Sequence, residues 1–374
     1  MKRINVAILF GGKSAEHEVS LQSAKNVLDA IDKEKYNPIL IGIDKSGKWL
    51  LSDESKFLIN ESDPELIALN RSSDVVTFAP ESNGAISSID NMEGNRHLDT
   101  ASGGTPAIDV AFPILHGPMG EDGTVQGLLK LANIPFVGAS VLGSAVGMDK
   151  DVMKRLLRDA GIPIAAFIAL KEHEERPPFR AIADRLGLPF FVKPANMGSS
   201  VGVRKVSAEA EYSAALDEAF SFDLKVLIEE FVEGREIECA VLGNEAPIAS
   251  GIGEIRSNHE FYSYEAKYID ENGAALDIPA RLDGETAERA RKLAVETFKA
   301  LCCEGLGRVD MFLRKDGSIL VNEINTIPGF TRISMYPKLW EAAGVSYTEL
   351  IDRLLRLAIE RAEKEKRLKT SYGA

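Results

Sequence analysis

The chain has 374 residues, 45% of them hydrophobic and 27% charged, and its formal net charge at pH 7 is −13. This length exceeds what one ordinary hydrophobic core accommodates, so two or three domains are expected. The acidic balance argues against a nucleic-acid partner, because no basic stripe is present to neutralise phosphates.

The composition also predicts the compartment. No run of about 18 apolar residues occurs, so a membrane span is not expected. The apolar stretch at the N-terminus is too short for a signal peptide and runs directly into a glycine turn. Cys302 and Cys303 stand at the end of a helical pattern, and we interpret both as small buried residues rather than a redox pair. These features predict a soluble cytoplasmic protein.

The first elements follow a β–α–β order. Ile4–Phe10 is an apolar run that ends in a Gly-Gly turn, Ser20–Ile31 has helical spacing, and Asn37–Ile43 has the pattern of a second strand. This order predicts a parallel sheet with binding sites at the carboxyl ends of its strands. The turn, GGKSAEHEVS, is not a GxGxxG fingerprint, so a dinucleotide site is not predicted.

The segment from Asp53 to Thr105 is polar and rich in Ser, Asn, Asp and Gly. We interpret it as an insertion that decorates the first domain, with weak strands (Val75–Phe78) at best, and we expect no function there. A strand at Ile108–Pro113 follows, then the loop HGPMGEDG and a helix that opens at Asp122. Taken alone, His116 in this loop is more typical of a structural histidine than of a catalyst.

A second unit begins near residues 138–149. Its predicted elements are a helix from Met148-Asp149-Lys150 to Ala160, a strand at Phe167–Leu170, a helix from Pro178 to Leu186, a strand at Phe190–Lys193 and a helix from Ala208 to Phe220. In its middle, VKPANMGSSVGV, small residues allow backbone N–H groups to close on phosphate oxygens. Lys193 and Lys150 provide point charges for a triphosphate. A Gly/Ser hairpin loop without a ligand explains these residues equally well.

The next strand, Lys225–Phe231, runs into the acidic turn EEFVEGRE. Backbone edges at the end of such a strand suit an adenine ring and acids suit ribose hydroxyls, but a solvated acidic turn remains an equal alternative.

The stretch from Glu254 to Ala280 is unusually aromatic and has the length of a lid. Its tyrosines could instead pack onto the domain surface. Two amphipathic helices are predicted at Glu285–Cys303 and Ser346–Lys366.

Two strand-like runs near the C-terminus, Gly307–Leu313 and Ser318–Ile324, are joined by a turn at Lys315-Asp316-Gly317 and predict a hairpin. Side chains alternate along a strand, so Arg308 and Asp310 share one face, and the hairpin brings Asp310 near Glu323 and Asn325. Two carboxylates and an amide oxygen suit Mg²⁺ bound to nucleotide phosphates. Arg308 would sit where negative charge develops in phosphoryl transfer. An edge hairpin whose charges face water is the alternative.

Two motifs carry a resemblance to a known family. RVDMF followed by VNEINTIPG resembles the C-terminal signature of D-alanine–D-alanine ligases, members of the ATP-grasp superfamily. The segment HGPMGEDGTVQG resembles a second signature of that family, far away in the chain. The resemblance covers nearly the whole chain except the insertion, and it implies α/β and α+β units in an ATP-grasp fold. The implied domains are residues 1–142 (substrate-binding, with the insertion 53–105), 143–243 and 244–374, the last two enclosing ATP.

The resemblance also implies roles for individual residues. Catalytic roles fall on Glu16, Ser199, Tyr268, Arg308 and Gly329. Substrate contacts fall on Glu16, His116, Arg308, Ser334 and Met335. ATP contacts fall on Lys150, Lys193, Ser199, Ser200, Glu229, Glu230, Phe231, Val232, Glu236, Lys267, Asn322 and Glu323. Metal ligands are Asp310, Glu323 and Asn325, for two Mg²⁺ ions that Mn²⁺ could replace. Glu18 stays open as an alternative to Glu16 for the substrate ammonium.

The implied reaction joins two D-alanine molecules with ATP through an acyl phosphate, for peptidoglycan precursor synthesis, and the family implies a homodimer. In the family, Tyr268 and Lys267 belong to a flap, and Tyr268 is expected to favour the D-alanyl-D-alanine peptide. Three alternatives remain: an ATP-grasp ligase for other acids and amines, a D-Ala–D-lactate or D-Ala–D-Ser ligase, and a non-catalytic nucleotide-binding protein of the same fold.

Overall fold

The structure is a computed structural model that describes residues 2–54, 57–59, 67–70, 74–92, 95–100, 107–257, 274–369 and 371–372. Within these residues the strands form three sheets that follow one another along the chain, and one separate two-stranded ribbon. No helix in the described ranges has both the length and the apolar character that crossing a bilayer requires.

The first sheet is built around a parallel core. The elements of this region are β1 (Ile4–Gly11), α1 (His17–Ala30), β2 (Tyr36–Ile43), β3 (Trp49–Ser52), β4 (Leu58–Ile59), β5 (Ala68–Leu69), β6 (Asp74–Thr77), β7 (Ser87–Met92), β8 (Asn95–Thr100), β9 (Val110–Ile114) and α2 (Thr124–Leu131). The strand order is β8-β7-β6-β3-β2-β1-β9, and β4 pairs with β5 separately. β1 pairs in parallel with both β2 and β9, which confirms the predicted β–α–β unit.

Two predictions in this region were wrong. α1 begins one turn before Ser20, at His17, whose buried ring contacts the Gly12 carbonyl oxygen through Nδ1 at 2.9 Å. The first turn of α1 begins with the polar residues His17 and Glu18, so the spacing of apolar residues does not reveal where the helix begins. The insertion is also more regular than predicted. Its strands extend the sheet beyond β3 by antiparallel pairing, and this long-range backbone pairing is not visible in local composition.

The second sheet is antiparallel throughout. Its region contains α3 (Val141–Met148), α4 (Lys150–Asp159), β10 (Phe167–Lys171), α5 (Phe179–Leu186), β11 (Phe190–Pro194), β12 (Arg204–Val206), α6 (Glu209–Phe220) and β13 (Lys225–Glu230). The strand order is β10-β13-β11-β12. Asp149 separates α3 from α4 and caps α4, because its Oδ1 accepts hydrogen bonds from the backbone N–H groups of Asp151 and Val152. The predicted elements of this unit are confirmed, with α3 and β12 in addition.

The third sheet contains the predicted hairpin. Its region contains β14 (Arg235–Gly243), β15 (Ile248–Ser257), β16 (Ala274–Asp277), α7 (Gly284–Ala300), β17 (Gly305–Leu313), β18 (Ile319–Asn325), α8 (Met335–Ala342) and α9 (Tyr347–Glu365). The order is β16-β15-β14-β17-β18, and β18 reaches Asn325, as the predicted site required. α7 ends at Ala300 rather than Cys303. In the turn that follows α7, Cys303 is buried but Cys302 is exposed. The prediction that both cysteines are buried was therefore wrong for Cys302.

The first and last parts of the chain share one hydrophobic core. Residues of β1 and α1 pack with residues of α8 and α9 in a single cluster. Polar contacts reinforce this junction, because the Tyr36 hydroxyl donates to Asp352 at 2.9 Å and Arg361 donates to the backbone carbonyls of Phe136 and Gly138. The loops of the first sheet are therefore held against the hairpin that carries the predicted site.

Candidate functional site

One face of the third sheet is charged and the other is apolar. On the apolar face, residues such as Ile237 and Val309 pack against α7. On the charged face, Glu238 is paired in register with Asp310, Asp310 with Glu323 and Arg308 with Asn325. The sequence prediction that these hairpin side chains meet is confirmed. A bulge follows the Asp310–Glu323 pair.

Asn322 and Glu236 lie at the margins of this charged face. Asn322 occupies the bulge, because Asp310 is paired with Glu323 and Met311 already with Val321. Glu236 lies two residues before Glu238 on β14, so strand alternation places both acids on the same face.

Arg308 is held by two carboxylates. Its Nε and Nη2 donate to the two oxygens of Asp310, both at 2.7 Å, and its Nε lies 2.9 Å from Oε2 of Glu238. Burial disfavours the guanidinium cation, but Asp310 and Glu238 outweigh burial and hold the pKa of Arg308 well above its ordinary value. Glu238 was not predicted as a site residue. Its position two residues after Glu236 was the available signal.

The donor set for a divalent metal consists of oxygen ligands. Asp310 and Glu323 face each other across the hairpin, and the Asn325 amide nitrogen donates to Asp310 at 3.0 Å. Among the described residues, no group of three or more His, Cys, Asp or Glu side chains is arranged as a metal site. Two carboxylates and one amide nevertheless fit a metal that takes its remaining ligands from phosphates and water.

Lys150 connects this face to the second sheet. Its Nζ lies 3.3 Å from Oε2 of Glu323 and donates to the Met197 carbonyl oxygen at 2.7 Å. Met197 begins the loop with the sequence MGSSVG, and Lys150 is itself buried at the start of α4. The lysine therefore lies between the Gly/Ser loop and the predicted metal ligands.

The Gly/Ser loop contains a tight turn whose two central residues have left-handed backbone conformations. Ser199 and Ser200 have φ angles of 52° and 61°, and Gly202 has φ 69°. Consecutive non-glycine residues in the left-handed region are uncommon, and such strain concentrates at ligand sites. A side chain at Gly202 would collide with Phe222 and Pro194. The backbone N–H groups of Val201 and Val203 donate to the carbonyl oxygens of Gly198 and Ser200, so consecutive turns close the loop on itself.

Glu16 joins the first sheet to this loop. The Ser199 hydroxyl donates to Oε1 of Glu16 at 2.5 Å, and Glu16 is buried at the start of α1. Glu18 instead pairs with Lys45, at 2.6 Å. Of the two acids that the sequence left open, Glu16 thus faces the Gly/Ser loop and Glu18 pairs with Lys45.

The HGPMGEDG loop lies against the end of the hairpin. Nδ1 of His116 is 3.0 Å from the Ile327 carbonyl oxygen, and the Ile327 N–H donates to Oε1 of Glu121 at 3.2 Å. A carbonyl only accepts, so Nδ1 carries a proton. Burial lowers the pKa of His116, so the neutral ring leaves Nε2 as an acceptor. Nε2 is buried without a hydrogen-bond partner among the described residues.

Glu121 is a buried acid that the sequence interpretation missed, although it stands within this motif. Its two carboxylate oxygens accept hydrogen bonds from the backbone N–H groups of Gly117 and Ile327. Burial and the nearby charge of Glu16 raise the pKa of Glu121 to about 8. The carboxyl group is therefore largely protonated at neutral pH.

The end of β13 contains a cluster of three charges. The buried Glu229 carboxylate contacts Lys154 through Oε1 and Lys193 through Oε2. Burial disfavours its charge, but the two ammonium groups hold the pKa of Glu229 below its ordinary value. Lys154 was not predicted. It lies one turn after Lys150 on α4, and that spacing was the available signal.

The residues after Glu229 form an edge that is partly apolar. Glu230 accepts hydrogen bonds from the Ala166 N–H at 2.9 Å and from Arg314 at 3.3 Å. Phe231 remains 44% exposed, whereas Val232 packs with Ala165 and Leu320 in a small buried cluster. An exposed aromatic ring beside an apolar floor suits a flat heterocycle.

Gly329, Ser334 and Met335 lie where the chain leaves the hairpin and enters α8. The Thr331 N–H donates to the Ser334 hydroxyl oxygen at 3.0 Å, and a side chain at Gly329 would meet that same oxygen. The Met335 side chain is buried in the shared core. Its backbone N–H, in the first turn of α8, is the group left for a ligand. Lys267 and Tyr268, with the proposed flap, lie outside the described residues.

The second and third sheets, with the Gly/Ser loop and the charged face between them, have the ATP-grasp architecture. Two family models match the chain, "D-ala D-ala ligase N-terminus" over residues 5–139 and "D-ala D-ala ligase C-terminus" over residues 156–356. A D-alanine–D-alanine ligase of Oceanobacillus iheyensis is 56% identical over 98% of both chains. D-alanine–D-alanine ligase A of Escherichia coli K12 is 52% identical over 99% of this chain and all of its own.

Solved structures agree with these relatives. The D-alanine–D-alanine ligase of Coxiella burnetii has a TM-score of 0.83 at 36% identity, covering 98% of this chain and 97% of its own. The VanG D-Ala:D-Ser ligase of Enterococcus faecalis has a TM-score of 0.81 at 37% identity, covering 96% of this chain and all of its own. The chain belongs to the D-alanine–D-alanine ligase family. Membership implies an ATP-dependent ligase that uses a divalent metal ion.

Proposed function

We propose that the chain ligates two D-alanine molecules to D-alanyl-D-alanine, with conversion of ATP to ADP and phosphate, in peptidoglycan precursor synthesis. The observation that carries this proposal is the hydrogen bond between Ser199 of the Gly/Ser loop and Glu16 of the first sheet. It brings a carboxylate suited to a substrate ammonium next to a loop suited to phosphate. ATP and an amino acid can thereby meet at one place.

The first D-alanine binds with its ammonium at Glu16. The resemblance places His116 at the carboxylate of this substrate, but its buried Nε2 is an acceptor in the neutral ring and so fits an N–H donor such as the ammonium. The substrate carboxylate attacks the γ-phosphate of ATP and becomes an acyl phosphate, with loss of ADP. The amine of the second D-alanine then attacks the carbonyl carbon, and phosphate leaves. Ser334 and the Met335 N–H hold the carboxylate of this second substrate.

Residues of the second and third sheets bind ATP, the metal ion and the negative charge that develops during the reaction. Lys150, Lys193 and the Ser199–Ser200 backbone receive the triphosphate, while the segment from Glu229 to Val232 and Glu236 receive adenine and ribose. Arg308 and the Gly329 N–H stabilise the tetrahedral oxyanion. Asp310, Glu323 and Asn325 would hold Mg²⁺, which neutralises phosphate oxygens when bound. Lys267 and Tyr268 are assigned to the flap by resemblance.

Further parts of the proposal concern the whole chain. The proposed domain boundaries stay at residues 142–143 and 243–244. The first unit then contains the whole first sheet, the second unit contains the whole second sheet together with β14, and the third unit contains the other four strands of the third sheet. We assign a homodimer by family, and the cytoplasm because ATP is the co-substrate. Tyr268 is proposed to select the second substrate, so Tyr268→Phe should gain D-alanyl-D-lactate synthesis.

The test is ADP release and product analysis with D-alanine, L-alanine, D-serine and D-lactate in parallel. We expect D-alanine, supplied as the single amino acid, to support ADP release, and we expect D-alanyl-D-alanine as the product. A larger kcat/KM for mixed D-alanine and D-serine would make the chain a D-Ala–D-Ser ligase, the activity in the name of the Enterococcus relative. ADP release that is independent of every D-amino acid would contradict the proposal.

A further inference from the structure

α4 directs two lysines toward the proposed nucleotide site. Lys150 and Lys154 are one turn apart, so their side chains lie on the same side of the helix. Lys150 reaches Glu323 and the Gly/Ser loop, whereas Lys154 reaches Glu229 at the end of β13. The helix therefore contributes one cation at the phosphate end and one at the adenine end of the site.

The two lysines on Glu229 differ in exposure. The Lys154 side chain has no exposed surface, while the Lys193 side chain keeps 11%. Lys154 therefore has no surface with which to touch a nucleotide. Burial, together with the nearby Lys193 ammonium, holds the pKa of Lys154 below its ordinary value. Glu229 and the Phe167 ring, 5.8 Å from Nζ, favour the cation and limit this decrease. Lys154 therefore acts on ATP without touching it, and the carboxylate that it contacts is that of Glu229.

The charges of this cluster do not cancel. One carboxylate lies between two ammonium groups, so the three side chains together carry one positive charge. With Lys193 alone, Glu229 would form a neutral buried pair, and a triphosphate would have to compete with the carboxylate for the same ammonium. The second lysine removes that competition. Each carboxylate oxygen contacts its own lysine, so Lys193 can turn toward an anion without leaving Glu229 unpaired.

We propose that Lys154 is a positioning residue that neutralises the Glu229 carboxylate and so leaves the charge of Lys193 for the phosphates of ATP. This inference rests on the proposed function, in which Lys193 contacts the triphosphate. It accounts for a fully buried lysine in a place where a methionine of similar shape would avoid the cost of burying a charge. It also assigns Glu229 a function beyond its place at the adenine edge.

The experiment compares Lys154→Met, Lys193→Met, Glu229→Gln and the double variant Lys154→Met/Glu229→Gln in the full chain. Steady-state kinetics give kcat and KM for ATP and D-alanine, and calorimetry gives the affinity for ADP and for adenosine. For Lys154→Met we expect the KM for ATP and the Kd for ADP to rise about tenfold, the scale of one charge-assisted interaction. The Kd for adenosine, kcat and the KM for D-alanine should change less than about twofold.

The double variant tests the route through Glu229. Without the carboxylate nothing is left to neutralise, so adding Glu229→Gln to Lys154→Met should restore most of the ADP affinity. A double variant no better than Lys154→Met would overturn the inference. So would an equal loss of ADP and adenosine affinity, because that result means a general packing defect. Lys154→Gln keeps a polar group beside Glu229 and must likewise lower the affinity for ADP more than the affinity for adenosine. It replaces Lys154→Met in the comparison if Lys154→Met does not fold.

Lys193→Met separates this inference from the function on which it rests. It should weaken ADP binding about tenfold or more. If it weakens binding and Lys154→Met does not, only the inference fails. If Lys193→Met binds ADP as the unmodified chain does, the proposed nucleotide site is wrong and the inference falls with it.

Discussion

Two buried clusters of three charges lie on the two sheets that face the proposed nucleotide. On the third sheet, Arg308 lies between Asp310 and Glu238, so the cluster carries one negative charge. On the second sheet, Glu229 lies between Lys154 and Lys193, so the cluster carries one positive charge. Each cluster consists of a pair of opposite charges and one extra charge. The extra charge is negative on the third sheet and positive on the second sheet.

This difference indicates how a buried site can stay charged. Isolated buried charges are costly, and a matched pair is neutral and offers little to an ionic ligand. A third member keeps the cluster connected and leaves one charge uncompensated. The negative cluster lies where a metal cation is proposed to bind, and the positive cluster contains Lys193, which is proposed to contact the phosphates. Substitution of single charged residues in and beside the negative cluster tests this idea.

The largest effect is expected at the centre of the negative cluster. Arg308→Lys should reduce kcat by about 10²–10³-fold, because an ammonium cannot reproduce the two-pronged contact with Asp310 and reach a developing oxyanion as well. The matched control is Arg235→Lys on the apolar side of β14, where Arg235 holds Glu254 with the same two-pronged geometry, at 2.8 and 2.6 Å. The control should stay within about threefold. Equal losses in both variants would mean that Arg308 is only structural.

The next effect is expected at the proposed metal ligand opposite Asp310. Glu323→Gln removes one of the two carboxylates of the donor set and should lower turnover by roughly two orders of magnitude, the scale of one strong electrostatic group. Because the lost group would bind the metal, raising the Mg²⁺ concentration should recover part of the activity. Normal ADP release at ordinary Mg²⁺ would remove the assignment of this face as a metal site.

A smaller effect is expected at Glu238, the second carboxylate of the negative cluster. Glu238→Gln leaves Arg308 with Asp310 as its remaining charged partner within the cluster, so Arg308 should hold Asp310 more tightly against a metal. We expect the Mg²⁺ concentration for half-maximal activity to rise about three- to tenfold, with a smaller change in the KM for D-alanine. Titrations with Mg²⁺ at saturating ATP measure this. An unchanged Mg²⁺ requirement would show that Glu238 does not tune the cluster.

The two clusters were not equally predictable from the sequence. Strand alternation and one hairpin turn were sufficient to bring Arg308, Asp310, Glu323 and Asn325 together, because these residues are close in the chain. Glu238 comes from another strand of the same sheet and was missed. Pairing between strands far apart in sequence depends on the whole fold, which a local pattern does not specify.

The positive cluster depends on longer connections still. Lys154, Lys193 and Glu229 come from one helix and two strands. Lys193 was proposed as a phosphate contact from its sequence surroundings and Glu229 by resemblance, whereas Lys154 was missed. The same limit explains the insertion, where polar composition concealed strands that are held by backbone pairing. In contrast, the β–α–β core and the elements of the second unit followed directly from their apolar patterns.

Glu121 shows what happens to a buried carboxylate that lies outside such a cluster. Its hydrogen bonds come from the backbone N–H groups of Gly117 and Ile327, and burial with the nearby charge of Glu16 raises its pKa to about 8. In the unfolded chain the pKa would be about 4.5. Between these values the folded state holds a proton that the unfolded state has lost, so this group destabilises the fold progressively as the pH rises through that window.

Glu121→Gln, which does not titrate, should therefore change the pH dependence of stability. The glutamine loses one of the two acceptor contacts and should melt below the unmodified chain at pH 5. That deficit should shrink or reverse by pH 9, a relative change of up to about 4 kcal/mol. Thermal unfolding midpoints of both chains from pH 5 to pH 9 measure it. Glu296→Gln on the exposed surface of α7 is the control and should run parallel to the unmodified chain. Parallel curves for Glu121→Gln as well would mean that Glu121 is ionised like Asp310 and Glu229, and that a buried carboxylate here does not need a cation in direct contact to keep its charge.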